Sequence, residues 1–206
     1  MKRAAVGFRV HSGWAAMIAV SLAKNVPELL VRRRVHLVKT FSYEYRQPYH
    51  TAAKSAPDEG RAFVSHVKSE ARALALRALR EVKIELEKHD YSLERCGLLL
   101  ASGRPLPALP KILASHSLIH TADGELFREA LLHATTRCGL EPLAIKERDL
   151  LDSAARALRR RPADLAQHIS GLGRSLGPPW SRDEKLASLV AWLAASSRSP
   201  LRAKAR

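Results

Sequence analysis

The chain has 206 residues, 46% of them hydrophobic and 27% charged, with a formal net charge of +15; that length and composition are ordinary for a globular protein with a sizeable core. Its two cysteines give neither a disulfide framework nor a metal-ligand spacing, and no window approaches the ~18 uncharged apolar residues of a membrane-spanning helix. No secretory signal and no membrane partner are expected, and free thiols at Cys96 and Cys138 fit a reducing cytoplasm.

Val6, Phe8 and Val10 alternate with Gly7, Arg9 and His11, the period of a first strand. His11-Ser12-Gly13 is a turn signal. A second strand, about Trp14 to Leu22, is apolar on both faces and belongs in the middle of a covered sheet. Asn25, Pro27 and Glu28 mark the next turn. The third strand, about Leu29 to Val38, puts Val31, Val35 and Leu37 on one face and Arg32, Arg34 and His36 on the other, a basic face that suits an edge.

Residues 40–57 form a polar, aromatic connection in which Tyr43, Tyr45, Tyr49, Arg46 and His50 either stack on bases or pack their rings on the body. A long helix opens at Pro57 or Asp58 and carries Phe63, Val67, Ala71, Leu74, Ala78, Val82 and Leu86 as its apolar stripe, ending near His89. A buried strand from Leu93 to Ala101 suits a parallel neighbour reached by a right-handed crossover. A proline-rich break, then a short helix at 111–117, precede a helix expected from about Ala122 to Arg137, capped by Thr121 and stopped by Gly139. Leu140 to Lys146 is the last strand. Asp149 caps a helix to about Arg160, Pro162 starts another, and Ser181 to Glu184 is a capping box for a final helix. One domain is expected over 1–197, with a helical extension from about 162 and a basic disordered tail over 198–206.

The order β-β-β-α-β-α-β-α resembles that of the ribonuclease H-like superfamily, and the turn at Val6 to Gly13 occupies the place of its first strand and turn, closest in flavour to the Holliday-junction resolvases. The resemblance covers roughly residues 4–160. It implies an α/β, ribonuclease H-like fold: a five-stranded mixed sheet, three antiparallel strands then two parallel, flanked by helices. It also implies carboxylates on strand one, near strand four and on a late helix, holding two divalent metals. This chain departs from that pattern. Arg9 repels Mg²⁺, His11 suits softer ions, and Ser102, Gly103 and Arg104 follow strand four without an acid. Only Glu147, Asp149 and Asp152 resemble an acidic cluster, so the standard Mg²⁺ site is expected to be absent and no cofactor is required.

Open α/β sheets gather ligand groups at the carboxyl ends of their strands, which makes neighbours of Arg9, His11 and Ser12, of Ser102 and Arg104, and of Glu147. Arg9, Ser12, Gly13, Ser102 and Arg104 suit a phosphate or carboxylate anion, unless the His11-Ser12-Gly13 segment serves only as a hairpin turn. His11, Ser12, His120 and Glu147 are the catalytic candidates, with Arg104 beside them. His116 and His120, four apart, and Glu125, Glu129 and His133 would make a ligand row on a continuous helix; a helix start near Thr121 separates them, and no metal site is expected. Gly171 to Gly177, with Arg174, is either a phosphate cradle or a structural turn.

The charge is uneven. Residues 1–50 hold nine Lys or Arg against two acids, and residues 198–206 hold four against none. Such a field attracts polyanions, and DNA or RNA is the expected partner through Arg32, Arg34, Arg46 and Arg174. The leading expectation is a nucleic-acid-associated or phosphate-binding protein on a ribonuclease H-like scaffold without the two-metal site. The alternatives are a hydrolase or nuclease with a non-standard His/Ser/Arg/Glu site, and a protein-interaction module.

Overall fold

The structure is a computed structural model and describes residues 1–101, 105–175 and 177–197. Strands β1 (Lys2–His11), β2 (Trp14–Ala23) and β3 (Val26–His36) form an antiparallel meander. The β2–β3 turn is tight because Lys24 and Asn25 both take positive φ, which matches the twist of a hairpin. β4 (Tyr91–Leu100) runs parallel to β1, and β5 (Glu141–Lys146) parallel to β4. The order across the sheet is β3-β2-β1-β4-β5, so β1 is central and the basic strand β3 is an edge.

Period-two alternation on β1 sorts the layers. Val6, Phe8 and Val10 enter a core shared with α3 (Pro57–Glu87) and α5 (His116–Arg137), where Val67, Leu79, Phe127 and Leu131 are fully buried. Pro57 at the first helical position, then Asp58 and Glu59, start α3 well. Two short helices, α1 (Tyr43–Arg46) and α2 (Pro48–Ala52), fill the aromatic connection, and α2 packs on α3 and α5. The short α4 (Leu109–Leu113) adds Ile112 to a small cluster with Ile119 and Ala122 of α5.

The other face is covered by α8 (Arg182–Ser196), which begins with the expected capping box: the Ser181 hydroxyl accepts from the Asp183 N–H, and Glu184 accepts from the Ser181 N–H at 2.8 Å. Gly7 and Gly97 let α8 settle directly on the sheet. A Cβ at Gly7 would lie 2.1 Å from the Ala187 carbonyl oxygen, and one at Gly97 2.6 Å from that of Val190. Behind α8 pack α6 (Leu150–Leu158) and α7 (Pro162–Leu172), closing a second core around the buried Trp192. Thus α8, expected only as part of an extension, touches β1, β2 and β4.

Two local expectations are corrected. α5 begins at His116, not near Ala122. The polar run Thr121 to Gly124 that reads as a helix start is interior, because Asp123 turns into the protein to accept from the Tyr49 N–H at 2.8 Å, and Ile119 and Ala122 anchor the first turns. Asp149 stands at the start of α6 but its side chain makes no cap hydrogen bond; it lies 3.5 Å from Arg148. Among the described residues, no helix is long and apolar enough to cross a membrane. Both cysteines are free; burial pushes the Cys96 thiol up to about 12, which keeps it a neutral, inert core group.

Candidate functional site

Arg9 and His11 share the parity of Gly7 and therefore face α8 at the carboxyl end of β1. The helical turn after β5 brings Glu147 to the same edge, and the first turn of α8 brings Asp183. Arg9 Nε lies 3.3 Å from Glu147 Oε2 and 3.4 Å from Asp183 Oδ1. His11 Nε2 lies 2.9 Å from Asp183 Oδ2, and Arg182 Nη2 is 2.9 Å from Glu147 Oε1. Cation and carboxylate alternate: Arg182, Glu147, Arg9, Asp183, His11. The Arg9 side chain is only 20% exposed, so solvent screens its pairs incompletely.

Arg9 and Asp183 compete for the ring nitrogens of His11. Arg9 Nη1 lies 3.0 Å from Nδ1 and 2.6 Å from Nε2, and a guanidinium only donates. Nε2 cannot accept from Arg9 while donating to Asp183. In the neutral tautomer with Nε2–H donating to Asp183, Nδ1 accepts from Arg9, and the 2.6 Å approach of Nη1 to Nε2 is then a close contact between two donors. Burial holds the His11 pKa below its ordinary value; the Asp183 bond opposes that shift, and Arg9 and Arg34 reinforce it.

Register places His11 directly opposite Trp14, and their rings stack at 4.2 Å and 9°. The Arg34 guanidinium lies 3.8 Å from the Trp14 ring centroid and 5.6 Å from that of Phe41, which also meets Arg46 at 4.6 Å. An open groove of ≈ 300 Å³ runs beside this stack, lined by Trp14, Arg32, Arg34, Pro179, Ser181 and Asp183. A larger hollow of ≈ 430 Å³ opens at the opposite end of β1, beside Lys2, Arg3 and Glu94. Size does not favour it, because the charged cluster and the aromatic stack both lie at the carboxyl edge.

The sequence candidates are thus partly gathered. Arg9, His11 and Glu147 meet. Ser12 and Gly13 form the adjoining hairpin turn, where Gly13 takes φ +83°. Their carbonyls accept from Arg46 Nε at 3.3 Å and the Leu37 N–H at 2.8 Å. His120 is on α5, across the sheet, so it does not join His11 and Glu147 in one catalytic set. Ser102 and Arg104 lie outside the described residues. Arg32 donates to the carbonyls of Gly177 and Pro179 at 2.8 Å each, tying down the segment before α8. Arg34 is exposed beside Trp14, and Arg174 is exposed on a helical turn after α7. Sequence reasoning missed Asp183, whose place in a capping box explained it fully, and Trp14, which reads as an ordinary strand residue.

The two-metal arrangement implied by the resemblance does not fit these residues. Two carboxylates are present, but a guanidinium stands between them, with its buried Nε–H within 3.4 Å of both and hydrogen-bonded to neither. A divalent ion there would meet a fixed positive charge.

Among solved structures, the chain is similar to the structure titled T. thermophilus RuvC in complex with Holliday junction substrate, with a TM-score of 0.53 and 13% identity over 94% of this chain and 93% of that one. A second Thermus thermophilus RuvC structure matches with a TM-score of 0.51 and the same identity and coverage. The fold is ribonuclease H-like. No family profile and no curated protein sequence matches the chain.

Proposed function

We propose that the protein binds nucleic acid through the carboxyl edge of a ribonuclease H-like sheet, and that Arg9 supplies there the positive charge that metal ions supply in the nucleases of that superfamily. The observation that carries this reading is Arg9 within 3.4 Å of both Glu147 and Asp183. The two acids are neutralised by the protein itself, so the edge is not an acidic barrier to phosphates. Beside it stand Trp14, Arg34, Phe41 and Arg46: the exposed Phe41 ring suits stacking on a base, and the guanidinium groups that Trp14 and Phe41 position suit pairing with phosphates. The net charge of +15 adds long-range attraction.

Because one similar structure is a RuvC in complex with a Holliday junction substrate, a four-way DNA junction is the first probe, with duplex DNA and single-stranded RNA beside it. Fluorescence anisotropy in EDTA should show affinity falling steeply with salt, and Arg34→Ala should reduce the log–log slope by about 1. Affinity indifferent to salt would overturn the proposal.

A hydrolase is the second reading. It is favoured by the His11–Asp183 contact at 2.9 Å, the pairing that orients a general base. It is the weaker reading because Nδ1, the free nitrogen such a base needs, accepts from Arg9.

A further inference from the structure

Across the sheet from Arg9, three imidazoles converge. His116 and His120 stand one turn apart on α5 with their Nε2 atoms 3.0 Å from each other. His50, on α2, faces both: its ring centroid is 5.6 Å from that of His116 and 4.4 Å from that of His120. One ligand nitrogen from each of the three lies within 4.8 Å of the others. We propose that His50, His116 and His120 form a binding site for one borderline divalent transition-metal ion of the zinc class, with Asp123 orienting His50.

The geometry is close to what such an ion needs. A tetrahedral centre with metal–nitrogen bonds of 2.0–2.1 Å separates its ligands by about 3.3 Å. The observed span brackets that value, and small side-chain rotations close it. His50 is prepared for ligation. Its Nδ1 lies 2.5 Å from Asp123 Oδ2, so Nδ1–H donates to the carboxylate and the Nε2 lone pair is left for the ion. Asp123 is 2% exposed, and its other oxygen accepts from the Tyr49 N–H, which fixes the carboxylate. A buried carboxylate behind a histidine ligand is the usual way to set the tautomer and ring orientation at a zinc site.

The alternative is that the three rings merely pack. The Asp123–His50 contact joins α2 to α5 whether or not an ion is bound, whereas His116 and His120 are exposed and lie outside the hydrophobic core. Their exposure instead gives an ion a path in and leaves a fourth position for water. Three imidazoles do not suit Mg²⁺ or Ca²⁺, which take oxygen ligands. The N-terminus of α5 opposes a cation, and this weakens binding without abolishing it. The site shares no residue with the Arg9 cluster, so it stands or falls independently of the proposed function.

The test uses the full chain with no affinity tag. Titration with Zn²⁺ against a chromophoric chelator should give one ion per chain with a micromolar or tighter Kd, and Co²⁺ should give the intense visible absorption of a four-coordinate site. His120→Ala and His116→Ala, both at exposed positions, should each weaken Zn²⁺ binding by about tenfold or more, whereas His89→Ala should not. Zn²⁺ should raise the Tm of the parent protein and not that of His120→Ala. Mg²⁺ should do neither. No saturable binding below millimolar Zn²⁺, or equal affinity in parent and His120→Ala, would overturn the proposal.

Discussion

The two faces of the sheet treat positive charge in opposite ways. On the α8 face, Glu147 and Asp183 are served by a cation the chain carries itself, Arg9. On the α5 face, His50, His116 and His120 bring three ligand nitrogens within 4.8 Å of one another. The difference lies in how each face is packed. Gly7 and Gly97 draw α8 onto the strands so closely that its first turn closes over the end of β1, and a charged group there must be matched by neighbouring side chains. On the other face, α2 and the first turn of α5 form the rim, so ligand groups stay near water. One scaffold therefore holds a part-buried charge cluster matched by its own cation and a histidine cluster with two exposed members, and substitutions on the two faces should behave differently.

The largest effect is expected at the close approach. Gly7→Ala sets a methyl against the α8 backbone at Ala187 and Ala191, which cannot move aside as a flexible side chain would. It should cost about 3 kcal/mol, at the upper end of typical overpacking, measured by urea unfolding. A near-neutral result would break the claim that α8 is held at backbone distance.

Arg9→Ala comes next. It leaves Glu147 and Asp183 without the cation between them, and Nδ1 of His11 without its donor, in a part-buried setting. The expected loss is about 1–3 kcal/mol. Asp183→Asn in the same background should restore part of it by removing the stranded charge. If Asp183→Asn is equally harmful with and without Arg9, the two residues are not coupled.

Smaller still is the pH response. His11 and His168 both titrate below their ordinary value, each chiefly because burial disfavours the charged ring. A lowered pKa in the folded state means that the unfolded chain takes up protons first as pH falls. Their contribution to stability is therefore complete above about pH 6.5 and is lost as pH drops from there through the lower folded values. Unfolding free energy should rise with pH over that window, and His11→Gln should flatten part of the rise. An unchanged slope in His11→Gln would count against the neutral tautomer.

The sheet was largely legible in the sequence because its signals are local. Period-two alternation in β1, the continuous apolar run of β2 and the turn chemistry between them need no knowledge of distant residues. The start of α5 was not legible. Asp123 and Gly124 carry the local signature of a helix boundary, and only the His50 and Tyr49 partners on α2 reveal that the carboxylate serves another element. The same applies to the candidate site. Arg9 and Glu147 follow from the rule that strand ends gather ligands, but Asp183 had a complete local explanation in the capping box. Its place beside His11 depends on α8 lying over Gly7 and Gly97, and a missing side chain leaves no pattern in a sequence.

The central claim is that Arg9 occupies the charge position that a divalent metal would need. Mg²⁺ titration followed by thermal unfolding tests it most directly. The parent protein should unfold at the same Tm with and without millimolar Mg²⁺, and Arg9→Asp should gain Mg²⁺-dependent stabilisation that Asp183→Asn removes. A parent protein whose Tm rises with Mg²⁺, and loses that rise on Asp183→Asn, would contradict the account.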